Sequence, residues 1–147
     1  MILTDDAQTV AQWYRDKTGS QIVPAHTALG LLGYNPQGDI VLAGAIILQM
    51  DNDYTATVHM YSELDSHAQH ARGVFEWMFS HAYRINAQAR ADDKFMKRHL
   101  PRLGFKFEGR QKDWFGSGRD VLAFYMTRDN CKWIRDNGKH ARTTEAA

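Results

Sequence analysis

A chain of 147 residues, 44% hydrophobic and 24% charged, is sized for one soluble domain around one core, and two domains would each be too small. Eighteen Lys and Arg against 17 Asp and Glu leave no overall field toward nucleic acid or an anionic membrane, so any basic site has to be local. A single cysteine, Cys131, excludes an intramolecular disulfide and a cysteine-rich metal framework; with no basic-then-apolar leader and no run of the ~18 apolar residues a membrane span needs, the cytoplasm is the expected location.

Thr4, Asp5 and Asp6 offer side-chain oxygens to the free N–H groups of a helix start. Val10, Trp13 and Tyr14 then recur at helical spacing until Gly19, which predicts an amphipathic first helix. Two apolar segments, 25–34 and 39–50, flank Asn35-Pro36-Gln37-Gly38 and read as a β-hairpin. After the polar turn Asp51-Asn52-Asp53, residues 54–61 alternate β-branched and aromatic side chains as a third antiparallel strand. The period then changes. Ala71, Val74, Phe75, Met78, Phe79 and Ala82 mark one face of a helix starting at Asp65 or Ser66. Residues 84–90 alternate again, and Asp92-Asp93 caps a short helix carrying Phe95, Met96 and Leu100, with Pro101 and Gly104 as its terminators. Strands over 105–111 and 120–127 enclose the Gly116-Ser117-Gly118 loop, and a final short helix is expected over 130–135. Residues 138–147 read as a flexible tail behind a single domain, 1–137. This order predicts an α/β (α+β) domain: one mixed, largely antiparallel central sheet with helices on both faces.

Four phrases stand at telling intervals: Arg84-Ile85-Asn86-Ala87, then Asp92-Asp93, then Leu103-Gly104-Phe105-Lys106-Phe107-Glu108-Gly109-Arg110, then a strand opening at Asp120 and ending Met126-Thr127-Arg128. Their spacing resembles the C-terminal half of a domain of the GNAT superfamily of acyl-CoA-dependent N-acetyltransferases. The upstream order of elements agrees, and the combination is similar to small ribosomal-protein-type and phage-encoded members.

The resemblance implies acetyl-CoA as acyl donor, held in a V-shaped gap where the strand 54–61 splays from 84–90, its pantetheine amides pairing with exposed backbone. It implies a pyrophosphate seat on the N–H groups of His67, Ala68, Gln69 and His70, where a helix dipole favours an anion, with Gln69 or Arg72 adding a side-chain donor. Backbone of Met60 and Tyr61 is implied near the thioester carbonyl. The phosphate loop of the family carries Arg or Gln before two closely spaced glycines; Gln69-His70-Ala71-Arg72-Gly73-Val74 offers Gly73 alone. Asp93 stands where the family opens its second helix with Asn. Leu100 stands where a Tyr commonly protonates the departing thiolate.

Transfer to an amine needs that amine neutral, hence a base or water relay near the thioester. His59 and Tyr61 share a strand face beside the gap and Glu63 lies just past its end; these three are the catalytic candidates, with packing or solvent exposure as the competing reading. His67, His70 and His81 lack a Cys or carboxylate at zinc spacing, so no metal is expected. Lys94, Lys97, Arg98 and Arg102 form a basic stripe that suits the 3′-phosphate of CoA, an acidic partner or plain solvation; a nucleic-acid reading rests on it alone. Trp114 and Phe115, beside the glycine loop, suit contacts with a ligand, a partner protein or a second copy in a homodimer. Cys131 has no base placed beside it and reads as a small packed residue. Two functions stay open: an N-acetyltransferase in which an amine of a protein or small molecule attacks the thioester directly, and a non-catalytic protein that keeps the fold to modulate a partner.

Overall fold

The computed structural model describes residues 3–20, 27–64 and 68–134. A two-residue strand, β1 (Leu3–Thr4), precedes α1 (Ala7–Thr18) and pairs Leu3 with Leu31 and Thr4 with Gly30 of β2 (Thr27–Tyr34). Two residues carry no period, so only this pairing defines β1. Asp6 caps α1 by accepting from the Thr9 backbone N–H at 3.4 Å and from the Thr9 hydroxyl at 2.9 Å. Gly19 closes the helix at φ 70°, a left-handed conformation that suits a residue with no Cβ.

β2 continues antiparallel into β3 (Ile40–Met50) and β4 (Thr55–Ser62), the first hairpin being closed by the Asn35 carboxamide oxygen, which accepts from Gln37 and Asp39 backbone N–H groups. Then come α2 (Ala68–His81), β5 (Arg84–Arg90), α3 (Lys94–Leu103), β6 (Lys106–Gln111) and β7 (Val121–Thr127). The seven strands lie in the order β1-β2-β3-β4-β5-β7-β6, antiparallel throughout except where β4 meets β5. Strand alternation sorts the side chains onto two faces. On one, Ala28, Ala45 and Ile47 pack beneath Val10, Ala11 and Tyr14 of α1. On the other, Leu29, Ile46, Ile85 and Phe124 join the apolar stripe of α2 and Leu100 of α3 in the main core.

Gly30 shows how closely α1 sits on the sheet. A Cβ there would lie 2.7 Å from both Leu42 Cδ2 and Thr4 Cγ2 and 2.8 Å from Val10 Cγ2. Three neighbours crowd it from three elements, so one shift cannot make room. Gly30→Ala is expected to lower stability by about 1–3 kcal/mol, the usual cost of overpacking. Urea unfolding reads it, and an unmoved midpoint would show that α1 lifts off without cost.

Two expectations change. Pro101 lies inside α3 rather than ending it; the helix runs two residues further to Leu103 and is closed by Gly104 at φ 106°. A proline in the last turn forfeits one backbone bond, the one an N–H at 101 would donate to the carbonyl of Lys97 on the exposed face, and leaves the closing bonds of Gly104 to Pro101 and Phe105 to Leu100 intact. In place of a helix over 130–135 there is one 3₁₀ turn, Arg128–Asn130, followed by Cys131 in extended geometry. The segment is held by its side chains: Lys132 Nζ donates to the Arg102 carbonyl at 2.7 Å and Trp133 Nε1 to the Leu103 carbonyl at 2.8 Å. Residue 135, the tail over 138–147, and the expected helix start at Asp65 or Ser66 lie outside the described residues.

Arg128, last residue of the Met126-Thr127-Arg128 phrase, donates to the Phe79 carbonyl in the final turn of α2, its Nε at 3.1 Å. A cation there favours the negative end of the helix dipole. Among the described residues no helix is long and apolar enough to cross a membrane.

Candidate active site

The β4–β5 ladder is short. It runs from Thr55–Arg84 through Ala56–Ile85 to Thr57–Asn86 and stops, although β4 continues to Ser62 and β5 to Arg90. Backbone groups beyond Thr57 and Asn86 that would complete a parallel ladder are left to another partner. The gap opens into a cavity of about 460 Å³ walled by residues 57–60 of β4, 87–90 of β5, the buried face of α2 and the inner face of α3. That volume lies within the usual range for a small-molecule site. Ala71 on α2 and Ala87 and Ala89 on β5 make the space, since methyl groups at three facing positions leave the middle unfilled.

The candidate residues fall into separate groups. His59 and Met60 line the cavity, His59 with Nε2 3.1 Å from Gln49 Oε1. Tyr61 and Glu63 stand at the far end of β4 on the α1 side. There the Tyr61 ring is 5.8 Å from Trp13 and its hydroxyl donates to Glu63 Oε2 at 3.5 Å. Lys17 completes this group, its ammonium 3.2 Å from Glu63 Oε2 and 5.6 Å above the Trp13 ring.

At the start of α2, Ala68, Gln69 and His70 have N–H groups with no carbonyl of their own helix to meet, as at any helix start; His67 lies outside the described residues. Gln69 is exposed, whereas His70 is fully buried and lines the cavity. Helical periodicity turns Arg72 to the solvent face, where its Nε is 3.0 Å from Glu76 Oε1, four residues on. Gly73 meets β1: a Cβ there would lie 2.8 Å from Leu3 Cδ1. Asp93 also lines the cavity, while its carboxylate caps α3 by accepting from Met96 N–H at 3.0 Å. The basic stripe Lys94, Lys97, Arg98 and Arg102 occupies the exposed face of α3.

Three side chains reach the cavity that the sequence did not place there. Tyr14 of α1 reaches the cavity, and burial pushes its phenol up. His99 of α3 lines it too; burial, then the charge of Arg102, pushes its imidazole down. The imidazole of His70 is the third. Its signal was present, since 70, 74 and 78 form one helical row, but a histidine does not register in an apolar count.

The β6–β7 hairpin brings Phe115 to the cavity wall, with 45% of its surface exposed, and leaves Trp114 outside. Asp120 braces this hairpin. Its carboxylate accepts from Asp113 N–H at 2.9 Å and from Arg110 Nε at 2.6 Å, and those two contacts hold it below the usual carboxylate range. Asp113 in turn accepts from Gly118 N–H at 2.7 Å. Cys131 is fully buried in the main core, and burial pushes its thiol up, away from the reactive thiolate.

A mixed sheet split between two parallel neighbours, with an apolar cavity at the split and a helix start beside it, defines an α/β fold. It is the fold of the GNAT acetyltransferases. A GNAT-family acetyltransferase from Streptococcus pneumoniae superimposes with a TM-score of 0.62 at 12% identity, over 86% of this chain and 98% of that one. The ribosomal-protein-S5-alanine acetyltransferase from Vibrio fischeri gives 0.60 at 15% identity, over 88% and 94%. A spermidine/spermine N-acetyltransferase from Vibrio cholerae gives 0.58 at 14% identity, over 81% and 74%. No protein-family model matches the sequence, and no curated protein does.

Proposed function

We propose that the chain is an acetyl-CoA-dependent N-acetyltransferase that passes the acetyl group to an amine by direct attack on the thioester. One observation carries the reading: the β4–β5 ladder ends at Thr57–Asn86 and opens onto an apolar cavity beside the first turn of α2. The donor supplies the activated thioester. Free backbone of β4 beyond Thr57 suits the amides of the pantetheine arm, and the N–H groups of Ala68, Gln69 and His70 suit its diphosphate. Arg72 joins only by exchanging Glu76 for a phosphate, a small cost for an exposed pair.

The acceptor side is the α1 side. A carboxylate beside an aromatic face is what a cationic amine seeks, and Glu63 with Trp13 holds the Lys17 ammonium in this way. His59, oriented by Gln49, lines the cavity and suits the removal of the proton that the amine must lose. Tyr14, kept protonated by burial, suits the donor role toward the thiolate that Leu100, 3% exposed and apolar, cannot take.

Isothermal titration with acetyl-CoA tests the reading, on protein shown by native mass spectrometry to carry no CoA. Micromolar binding is expected. Absence of heat at millimolar acetyl-CoA would sink the enzyme reading in favour of a non-catalytic partner-binding protein.

A further inference from the structure

His70 sits in the first turn of the 14-residue helix α2. None of its surface reaches solvent, and among the described residues neither Nδ1 nor Nε2 has a hydrogen-bond partner. A neutral imidazole carries one donor and one acceptor, and burying both unmade costs the desolvation of each with nothing in return. Buried polar groups in native proteins are overwhelmingly paired, so an orphan of this kind calls for an explanation. A leucine or phenylalanine would continue the row formed with Val74 and Met78 at no such cost. The orphaned ring also lines the cavity at the β4–β5 split, among apolar neighbours such as Met60, Ala71 and Ala89.

We propose that the His70 imidazole is the polar anchor of this cavity: with an acyl-CoA bound, one ring nitrogen donates to an amide carbonyl of the pantetheine arm and the other accepts from an amide N–H. The inference rests on the acetyl-CoA reading. Amides match the ring because they present both a carbonyl and an N–H, the complement of one donor and one acceptor. A diphosphate presents acceptors alone. It would leave one ring nitrogen orphaned. His70 thus selects a ligand whose apolar arm is interrupted by amides, a role additional to that of its backbone N–H.

The test reads two quantities that move in opposite directions. His70→Leu and His70→Phe are expected to melt no lower than the wild type without ligand, because an unsatisfied group has been removed. They should bind acetyl-CoA about ten- to a hundredfold more weakly, the worth of two buried hydrogen bonds. Affinity for ADP, which carries the diphosphate without the arm, should not change, and His70→Gln, with one donor and one acceptor, should recover part of the acetyl-CoA affinity. Unchanged acetyl-CoA affinity overturns the proposal, as does a parallel loss of ADP affinity. In the wild type, NMR of the imidazole nitrogens gives the same answer without a substitution: both should shift with acetyl-CoA and neither with ADP, and the reverse pattern overturns the proposal. A wild type that fails to bind acetyl-CoA at all removes the transferase reading, and this one with it, whatever the variants do.

Discussion

Phe75→Ala is expected to cost about 3–5 kcal/mol of folding stability, the range for deleting a buried aromatic ring. Phe75 is a hub of the main core rather than one member among many. Its ring stacks on Trp133 at 6.0 Å and 6° between planes, and lies 6.1 Å from Phe105 and 6.4 Å from Phe79. Three segments meet there: α2, the start of the β6 arm, and the stretch after the last strand. Trp133 is pinned by its hydrogen bond to the Leu103 carbonyl, and Phe105 by its backbone bond to Leu100, so neither can move in to fill the void. Since the cost grows with the cavity that remains, the upper half of the range is expected. Thermal melting should fall by on the order of 10 °C for a chain of this size. A fall of a degree or two would show that the aromatic cluster repacks freely.

Ala89→Phe is expected to abolish acetyl-CoA binding, by about a hundredfold or more, while leaving a folded protein. Ala89 is 4% exposed, sits on β5 beyond the last β4–β5 pair, and turns its methyl toward α2 and the cavity. A phenyl ring there has empty space to enter, so the gain from burying it offsets the overpacking penalty of about 1–3 kcal/mol. The ligand then finds its place taken. Wild-type affinity in the variant, with its melting temperature preserved, would show that the donor lies elsewhere.

These variants also show where the sequence was legible. Strand 84–90 was readable to the residue, because its apolar positions 85, 87 and 89 alternate strictly and all three are buried. The caps Asp6, Gly19, Asp93 and Gly104 were readable because each acts on backbone within a few residues of itself. β1 was not, because two residues have no period and their partners lie 26 or more positions away. The last helix failed for the same reason in reverse: Trp133 and Lys132 carry local helix pattern, but their long-range bonds to Leu103 and Arg102 decide the shape. Pro101 misled because its cost depends on where in the helix it falls.

In the candidate site the same division holds. Periodicity by itself determined that residues 54–61 and 84–90 would be strands of one mixed sheet with a helix between them, and that His59 and Tyr61 would share a strand face; that the two strands would be split neighbours with a helix start beside the gap was implied by the resemblance to the GNAT superfamily. Only the tertiary structure decided that Glu63 is engaged by Lys17, that Arg72 faces Glu76 on the solvent side, and that Tyr14, Phe115 and the orphaned His70 ring converge on one cavity. Those relations join residues as much as 101 positions apart, Tyr14 to Phe115, and depend on which side chains the packing of two helices and a split sheet leaves without partners, a quantity no local pattern encodes.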